Sequence, residues 1–236
     1  MDYESFLELV KRRSSIRRFK PEPIPDEYVD RIIEAARWAP SGANSQPWEF
    51  IVVKKKELKD TIVQLTKEYN GLSYRMELTR EPEQRFYKQA SPPQRWGFED
   101  APVYIILCGD TRTKDAYPLN TLLQRGDLIF TSSLANAFLY MQLAATALGL
   151  GAQWVSAIAS PYVQSLTKDL LGMPKELEFY DMMVVGYPDT EPKPRLVRAK
   201  EEMVHYDYYD KSMFKTEEKI KDFIAALHKD YKKRFP

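Results

Sequence analysis

Between Leu128 and Thr167 this chain carries no Asp, Glu, Lys or Arg, although 29% of the whole sequence is charged. No other feature limits the fold as strongly. A run this poor in charge needs surroundings other than bulk water, and either a bilayer or enclosing protein supplies them. By length and apolarity it can pass for a membrane span. It contains Asn136, Gln142 and Gln153, however, and it breaks at Gly149-Leu150-Gly151 and at Pro161. Those polar groups and breaks favour a helix buried in a core or a dimer seam, with no membrane insertion.

A chain of 236 residues suits one large domain, or one domain with an extension, and can bury a substantial core. Lys and Arg number 35 against 34 acidic residues, so no global field would draw in nucleic acid or an anionic membrane. A positive site must come from a few clustered arginines. Cys108 is the only cysteine and follows the apolar run Val103-Tyr104-Ile105-Ile106-Leu107. An intramolecular disulfide is therefore excluded, which favours a reducing, cytoplasmic compartment. His205 and His228 are the only histidines, leaving little room for a zinc site or a Ser-His-Asp triad, and no metal is expected. The opening Met1-Asp2-Tyr3-Glu4 has no apolar h-region, so no secretory leader is expected.

Elsewhere the periodicity alternates between helix and strand. Residues 3–13 predict a helix with Phe6, Leu7, Leu9 and Val10 on one stripe. Pro21, Pro23 and Pro25 hold the chain extended. Asp26 then caps a second helix that turns Val29, Ile32, Ile33 and Ala36 inward, and Pro40 ends it. Strands are expected at 49–54, 103–108, about 152–157 and 178–187. Further helices are expected at about 57–67, at about 127–148 with Gly149 as its stop, and from Ser160-Pro161 onward. Residues 68–98 read as an irregular lid or binding loop. Beyond Pro188, Pro192 and Pro194, residues 216–232 predict an amphipathic helix with Ile220, Phe223, Ile224, Leu227 and Tyr231 on one face. The chain thus divides into a body at 1–190 and, at 191–236, an arm and helix that pack on their own domain or on a partner subunit.

Two segments carry chemistry. In Arg12-Arg13-Ser14-Ser15-Ile16-Arg17-Arg18-Phe19, Arg13 and Arg17 can grip a phosphate by charge-assisted hydrogen bonds, with Ser14 and Ser15 adding hydroxyl donors. A solvated basic turn is the plainer account of the same residues. The loop Ala39-Pro40-Ser41-Gly42-Ala43-Asn44-Ser45-Gln46-Pro47-Trp48 has small residues for close backbone approach to a planar ring. Turn geometry alone would also explain them. Gly149-Leu150-Gly151 lacks the third glycine of a dinucleotide fingerprint and follows a helix, where that fingerprint follows a strand.

Taken in order, these segments resemble the nitroreductase superfamily. So do Leu148-Gly149-Leu150-Gly151-Ala152-Gln153-Trp154, Leu170-Leu171-Gly172-Met173-Pro174, Val184-Val185-Gly186-Tyr187-Pro188, and Pro194-Arg195 running to Glu201-Glu202-Met203-Val204-His205. The resemblance implies an α+β fold, a three-layer α/β/α sandwich on a mixed, mainly antiparallel sheet. It also implies an intertwined homodimer with FMN at the subunit interface. By that analogy Arg13, Ser14, Ser15 and Arg17 hold the phosphate, ribityl and N1 side. Pro40, Ser41 and Asn44 approach from the partner subunit. Trp154, Val155 and Ser156 line the edge near N5, with the Ser156 hydroxyl as a candidate N5 partner, and Arg198 and Arg195 return to the phosphate. No side chain is assigned as the catalyst. The implied activity is ping-pong hydride transfer from NAD(P)H, through the flavin, to nitroaromatic, quinone or activated-alkene acceptors.

Two special relatives bear on the acceptor. Iodotyrosine deiodinases resemble the chain at Pro40-Ser41-Gly42-Ala43, which makes Ala43, Asn70 and Tyr74 the substrate-side candidates. Tyr74 falls near that family's substrate tyrosine, but Asn70 stands where a glutamate is expected. Flavin-cleaving dimethylbenzimidazole synthases carry an aspartate where this chain has Ser15. Reductive dehalogenation of a halogenated aromatic and non-catalytic redox sensing stay open as alternatives. Tyr69, Tyr74, Phe86, Tyr87, Trp96 and Phe98 in the lid can stack on an aromatic acceptor or form a small core of their own.

Overall fold

The computed structural model describes residues 2–86, 96–192 and 195–234, with backbone alone at 232 and 234. Residues 87–95, which include Tyr87 of the expected lid, lie outside the described set. Two compact units are distinguished, Met1–Pro192 and Lys193–Pro236. In chain order the first holds α1 (Tyr3–Arg12), α2 (Asp26–Arg37), β1 (Trp48–Val53), α3 (Lys56–Glu77), β2 (Val103–Asp110), α4 (Leu119–Ala147), β3 (Gly151–Val155), α5 (Pro161–Leu171) and β4 (Leu177–Gly186). The second holds α6 (Glu217–Arg234).

The four strands form one sheet in the order β1-β2-β4-β3. Every strand pairing is antiparallel, with Phe50 opposite Leu107, Ile105 opposite Met183, and Trp154 also opposite Met183. The expected mixed character comes down to one isolated parallel bridge, Ser15 to Ala152. β2 explains its own apolar run. Val103, Ile105 and Leu107 enter a core shared with Ile32 and Ala36 of α2 and with Leu134, Phe138 and Met141 of α4. Tyr104, Ile106 and Cys108 enter a second core with Ile62 and Val63 of α3 and Val163 of α5. Period-two alternation between two covered faces makes the middle layer apolar throughout. Burial also pushes the Cys108 thiol up to about 12, which keeps it unreactive.

Two helices run longer than their periodicity predicts. α3 continues to Glu77, through the start of the supposed irregular lid, because Thr66 and Tyr74 extend the buried stripe begun by Ile62 and Val63. α4 begins at Leu119 rather than near 127, since Arg125 and Asp127 project into solvent while Gly126 is buried. α4 is long and apolar enough to cross a membrane, yet here it packs on the sheet and on α2. Phe98 is 1% exposed in the second core, with Tyr69 and Trp96 packed against it, so these aromatics serve as core.

A short 3-10 turn at Gly97–Asp100 lies against the backbone of Arg17. A Cβ added at Gly97 would sit 1.6 Å from the Arg17 carbonyl oxygen, so only glycine allows this approach. Gly97→Ala is expected to lower unfolding free energy by about 2–3 kcal/mol, the scale of overpacking against a backbone that cannot yield. Urea denaturation monitored by circular dichroism checks this; an unchanged midpoint would place the turn elsewhere.

Candidate functional site

The basic N-terminal segment is stitched to the free edge of β3 and to the residue that follows β4. The Ile16 amide donates to the Ala152 carbonyl at 2.9 Å, and the Lys20 amide donates to the Tyr187 carbonyl at 2.9 Å. Ile16 and Phe19 point inward and are buried. Ser14, Ser15 and Arg17 alternate with them and are left half-buried. Arg13 caps α1, and its Nη1 donates to Gln142 Oε1 of α4 at 3.2 Å, across 129 residues of sequence. Arg13, Ser14, Ser15 and Arg17 therefore occupy one strip beside β3, gathered there by the two inward anchors.

The Pro40–Trp48 loop is fastened to a different part of α4. Asn136 Nδ2 donates to the Pro40 carbonyl at 3.0 Å, and the Gly42 amide donates to Ser133 Oγ at 3.1 Å. Ser41 Oγ accepts from the Gln46 amide at 3.1 Å. Within this frame Ala43, Asn44 and Gln46 all take positive φ, at 49°, 51° and 44°. Three left-handed residues in so short a loop store strain that the surrounding hydrogen bonds must hold, a pattern that recurs at ligand-binding loops. A cleft of about 360 Å³ opens between Pro40–Gly42 and α4, lined by Arg125, Leu128, Ser132 and Asn136. Ala43 and Asn44 are exposed beside it.

At the end of β3, Val155 is buried, Ser156 is exposed at the start of a 3-10 turn, and Trp154 is 40% exposed. The Trp154 ring lies 4.3 Å from that of Phe138 and 5.9 Å from that of Tyr180. Its indole Nε1 donates to Asp181 Oδ2 at 2.5 Å. Asp181 is 8% exposed and its Oδ1 has no hydrogen-bond partner among the described residues. Burial raises its pKa to about 6, against the opposing pull of the indole N–H. A bulge in the β2–β4 pairing passes over Tyr180 and brings Asp181 opposite Leu107.

Other candidates are spread more widely. Asn70 is half-buried on α3 and Tyr74, one turn later, is 7% exposed, so the tyrosine belongs to the packed interior of this chain. Arg195 is exposed and belongs to the second unit, as does Arg198. There Arg198 Nη2 donates to the Glu202 carbonyl at 2.9 Å and its guanidinium lies 5.8 Å from the Phe223 ring centre. Residue reading did not give Gln142, Ser133, Asp181 and Gly97 their contacts with Arg13, Gly42, Trp154 and Arg17. Asp181 left a signal, since it is the one charge within the apolar stretch from Phe179 to Tyr187. Gln142 and Ser133 left only their polarity inside a charge-free helix.

The buried carboxyl has a measurable consequence. The folded chain holds the Asp181 proton more tightly than the unfolded chain does, so its contribution to stability is full below pH 3.8 and fades as pH rises through about 6. A shift of this size corresponds to about 3 kcal/mol. Asp181→Asn is expected to flatten that decline, so the variant gains on the parent by up to about 3 kcal/mol between pH 4 and 7. Urea unfolding at both pH values checks this, and parallel pH dependence in the two proteins would show that Asp181 does not titrate there.

The model of the Nitroreductase family matches residues 10–187. A Methanothermobacter thermautotrophicus protein, provisionally named an NADH dehydrogenase/NAD(P)H nitroreductase, is 28% identical over 189 residues, 80% of each chain. Iodotyrosine deiodinase 1 of Rattus norvegicus is 42% identical over 74 residues, covering 31% of this chain and 26% of that one. Among solved structures, an iodotyrosine deiodinase bound to FMN and 3-iodo-L-tyrosine superposes with a TM-score of 0.67 at 27% identity, over 86% of this chain and 99% of the other. An FMN-dependent nitroreductase of Clostridium difficile R20291 superposes with a TM-score of 0.64 at 23% identity, over 86% and 99%. With the sandwich, the stitched arginine strip and the strained loop in place, the family match spans most of the first unit, and the chain belongs to the nitroreductase family.

Proposed function

We propose that the chain is an FMN-dependent oxidoreductase that takes electrons from NAD(P)H and works as a homodimer. The supporting observation is the strip of Arg13, Ser14, Ser15 and Arg17 fixed to the edge of β3, which places cationic and hydroxyl donors together before any ligand arrives. This donor set fits the dianionic end of a mononucleotide. Gln153 Oε1, on the adjoining strand, is buried without a hydrogen-bond partner among the described residues, an acceptor suited to an N–H from a bound ring. When bound, FMN would supply the reacting centre that accepts hydride from NAD(P)H and delivers it to a nitroaromatic, quinone or activated-alkene acceptor.

The chain's own residues hold, orient and shield. Arg13 and Arg17 grip the phosphate, with Ser14 and Ser15 donating beside them. Trp154, Val155 and Ser156 form the wall at the end of β3, where the Ser156 hydroxyl stands free to donate at the reacting edge. Pro40, Ser41 and Asn44 complete the ring side from a second copy. The apolar exposure of α4 supports the dimer. Leu123 is 76% exposed, Leu128 56% and Leu139 47%, which is costly to leave in water along one helix. The lone, buried Cys108 is consistent with a cytoplasmic setting.

Reductive dehalogenation is the second reading, and the local likeness to an iodotyrosine deiodinase favours it. Asn70 argues against an amino-acid substrate, since a neutral amide does not replace a carboxylate that pairs with an ammonium in a dry site.

The purified protein is expected to be yellow, to carry one FMN per chain, to bleach with NADH or NADPH under anaerobic conditions, and to reoxidise with a nitroaromatic. A flavin that stays oxidised would leave a redox sensor instead, and halide release from a halogenated phenol in preference to nitro reduction would favour the dehalogenase. Arg13→Ala is expected to weaken FMN binding by about 2–3 kcal/mol, the loss of one charged partner in a sheltered site. Fluorescence titration checks it, and FMN affinity equal to the parent's would remove Arg13 from the phosphate.

A further inference from the structure

The predicted halves of the site have a common feature that no family likeness assigns. Both are tied to α4, in the part of the helix that carries no charge. Gln142 is 7% exposed, and its Oε1 accepts from Arg13 Nη1. Ser133 is 2% exposed; its Oγ donates to the Ile129 carbonyl at 2.7 Å and accepts the Gly42 amide. Asn136 adds the bond to the Pro40 carbonyl. Gly42 has to be glycine for this contact, because an added Cβ would sit 2.1 Å from Ile129 Cγ2.

We propose that α4 carries two separate positioning clamps for the flavin nucleotide, Gln142 acting through Arg13 on the phosphate end of one flavin, and Ser133 with Asn136 acting through the Pro40–Gly42 turn on the ring end of the flavin held by the second copy. The inference rests on the FMN reading above and deepens it. Helix geometry separates the clamps. Between Ser133 and Gln142 the helix rises by about 13 Å and turns through about 900°, which puts the two on opposite sides of α4. A change at one is therefore not felt directly at the other.

Each clamp acts on conformational freedom. An arginine side chain has many rotamers, and a ligand that must order it loses affinity in doing so. Gln142 orders Arg13 in advance with a neutral acceptor, which adds no negative charge of its own beside the guanidinium. A carboxylate at 142 would hold Arg13 as firmly but would offset its positive charge. At the other clamp, the two hydrogen bonds fix the entry to a loop in which Ala43, Asn44 and Gln46 are strained. Without them the loop relaxes and its approach to the ring is lost.

The test compares FMN with riboflavin, which lacks the phosphate, on the full-length apoprotein by fluorescence titration. Gln142→Leu is expected to weaken FMN binding about tenfold and to leave riboflavin binding unchanged, so the preference for FMN collapses. The double variant Ser133→Ala/Asn136→Leu is expected to weaken both flavins alike, to keep their ratio, and to shift the absorption band of the bound flavin. Gln142→Met, close to glutamine in shape, repeats the first arm should the leucine variant fail to fold, and thermal melts of the apoproteins report folding. A parent-like FMN-to-riboflavin ratio in a folded Gln142 variant overturns the phosphate clamp, as does equal loss of both flavins. A changed ratio in the loop variant overturns the separation of the two. A parent that binds neither flavin removes the FMN reading and this inference with it. A parent that binds FMN while the variants behave alike removes the clamps alone.

Discussion

Burial of α4 against the sheet is the constraint from which the rest of the first unit follows. Leu134, Phe138, Met141 and Ala145 close the core over β2 and β4, and α2 packs beside them. A helix so enclosed cannot afford a charged side chain on its inner faces, because an unpaired buried charge costs far more than a hydroxyl or amide that finds a partner. Its interior polar residues are therefore neutral, and each is spent on a bond to another segment. Ser133 and Asn136 take the loop after α2, and Gln142 takes the arginine that ends α1.

This arrangement lets strain be tolerated where it is useful. Three left-handed residues in the loop after Pro40 are unfavourable on their own account. They persist because both the start of the loop and Trp48 at its end are anchored, the first to α4 and the second in β1 opposite Gly109. Asp181 is the corresponding electrostatic oddity. It is a carboxyl buried in an apolar layer, held on one oxygen by the Trp154 indole and pushed toward its protonated form by burial. Both features sit next to the proposed cofactor site and neither strengthens the fold, which is the expected pattern when local stability gives way to function.

Much of the layer order was legible in the residues. The strand at Val103 to Cys108, the inward stripe of α2 and the helix stop at Gly149 follow from composition, period and turn chemistry. Residues 68–77, read as irregular, continue α3 instead, because the buried positions Thr66 and Tyr74 are spaced widely enough to hide a helical stripe. The start of α4 was placed late for a related reason, since exposed Arg125 and Asp127 mask a helix already under way. Tyr74 is buried in this chain because α3 continues.

What the sequence alone determined about this protein is the set of chemical possibilities. These are the 40 positions from Leu128 to Thr167 that carry no charge, the guanidinium and hydroxyl groups at residues 13–17, and a loop whose small residues tolerate unusual backbone angles. Only the tertiary structure decided which of these groups meet. Arg13 touches Gln142 across 129 residues, Arg17 is packed under Gly97, and Trp154 finds Asp181 through a bulge in a neighbouring strand. Local periodicity cannot encode such meetings, because each depends on how sheet register and helix packing bring distant segments into contact.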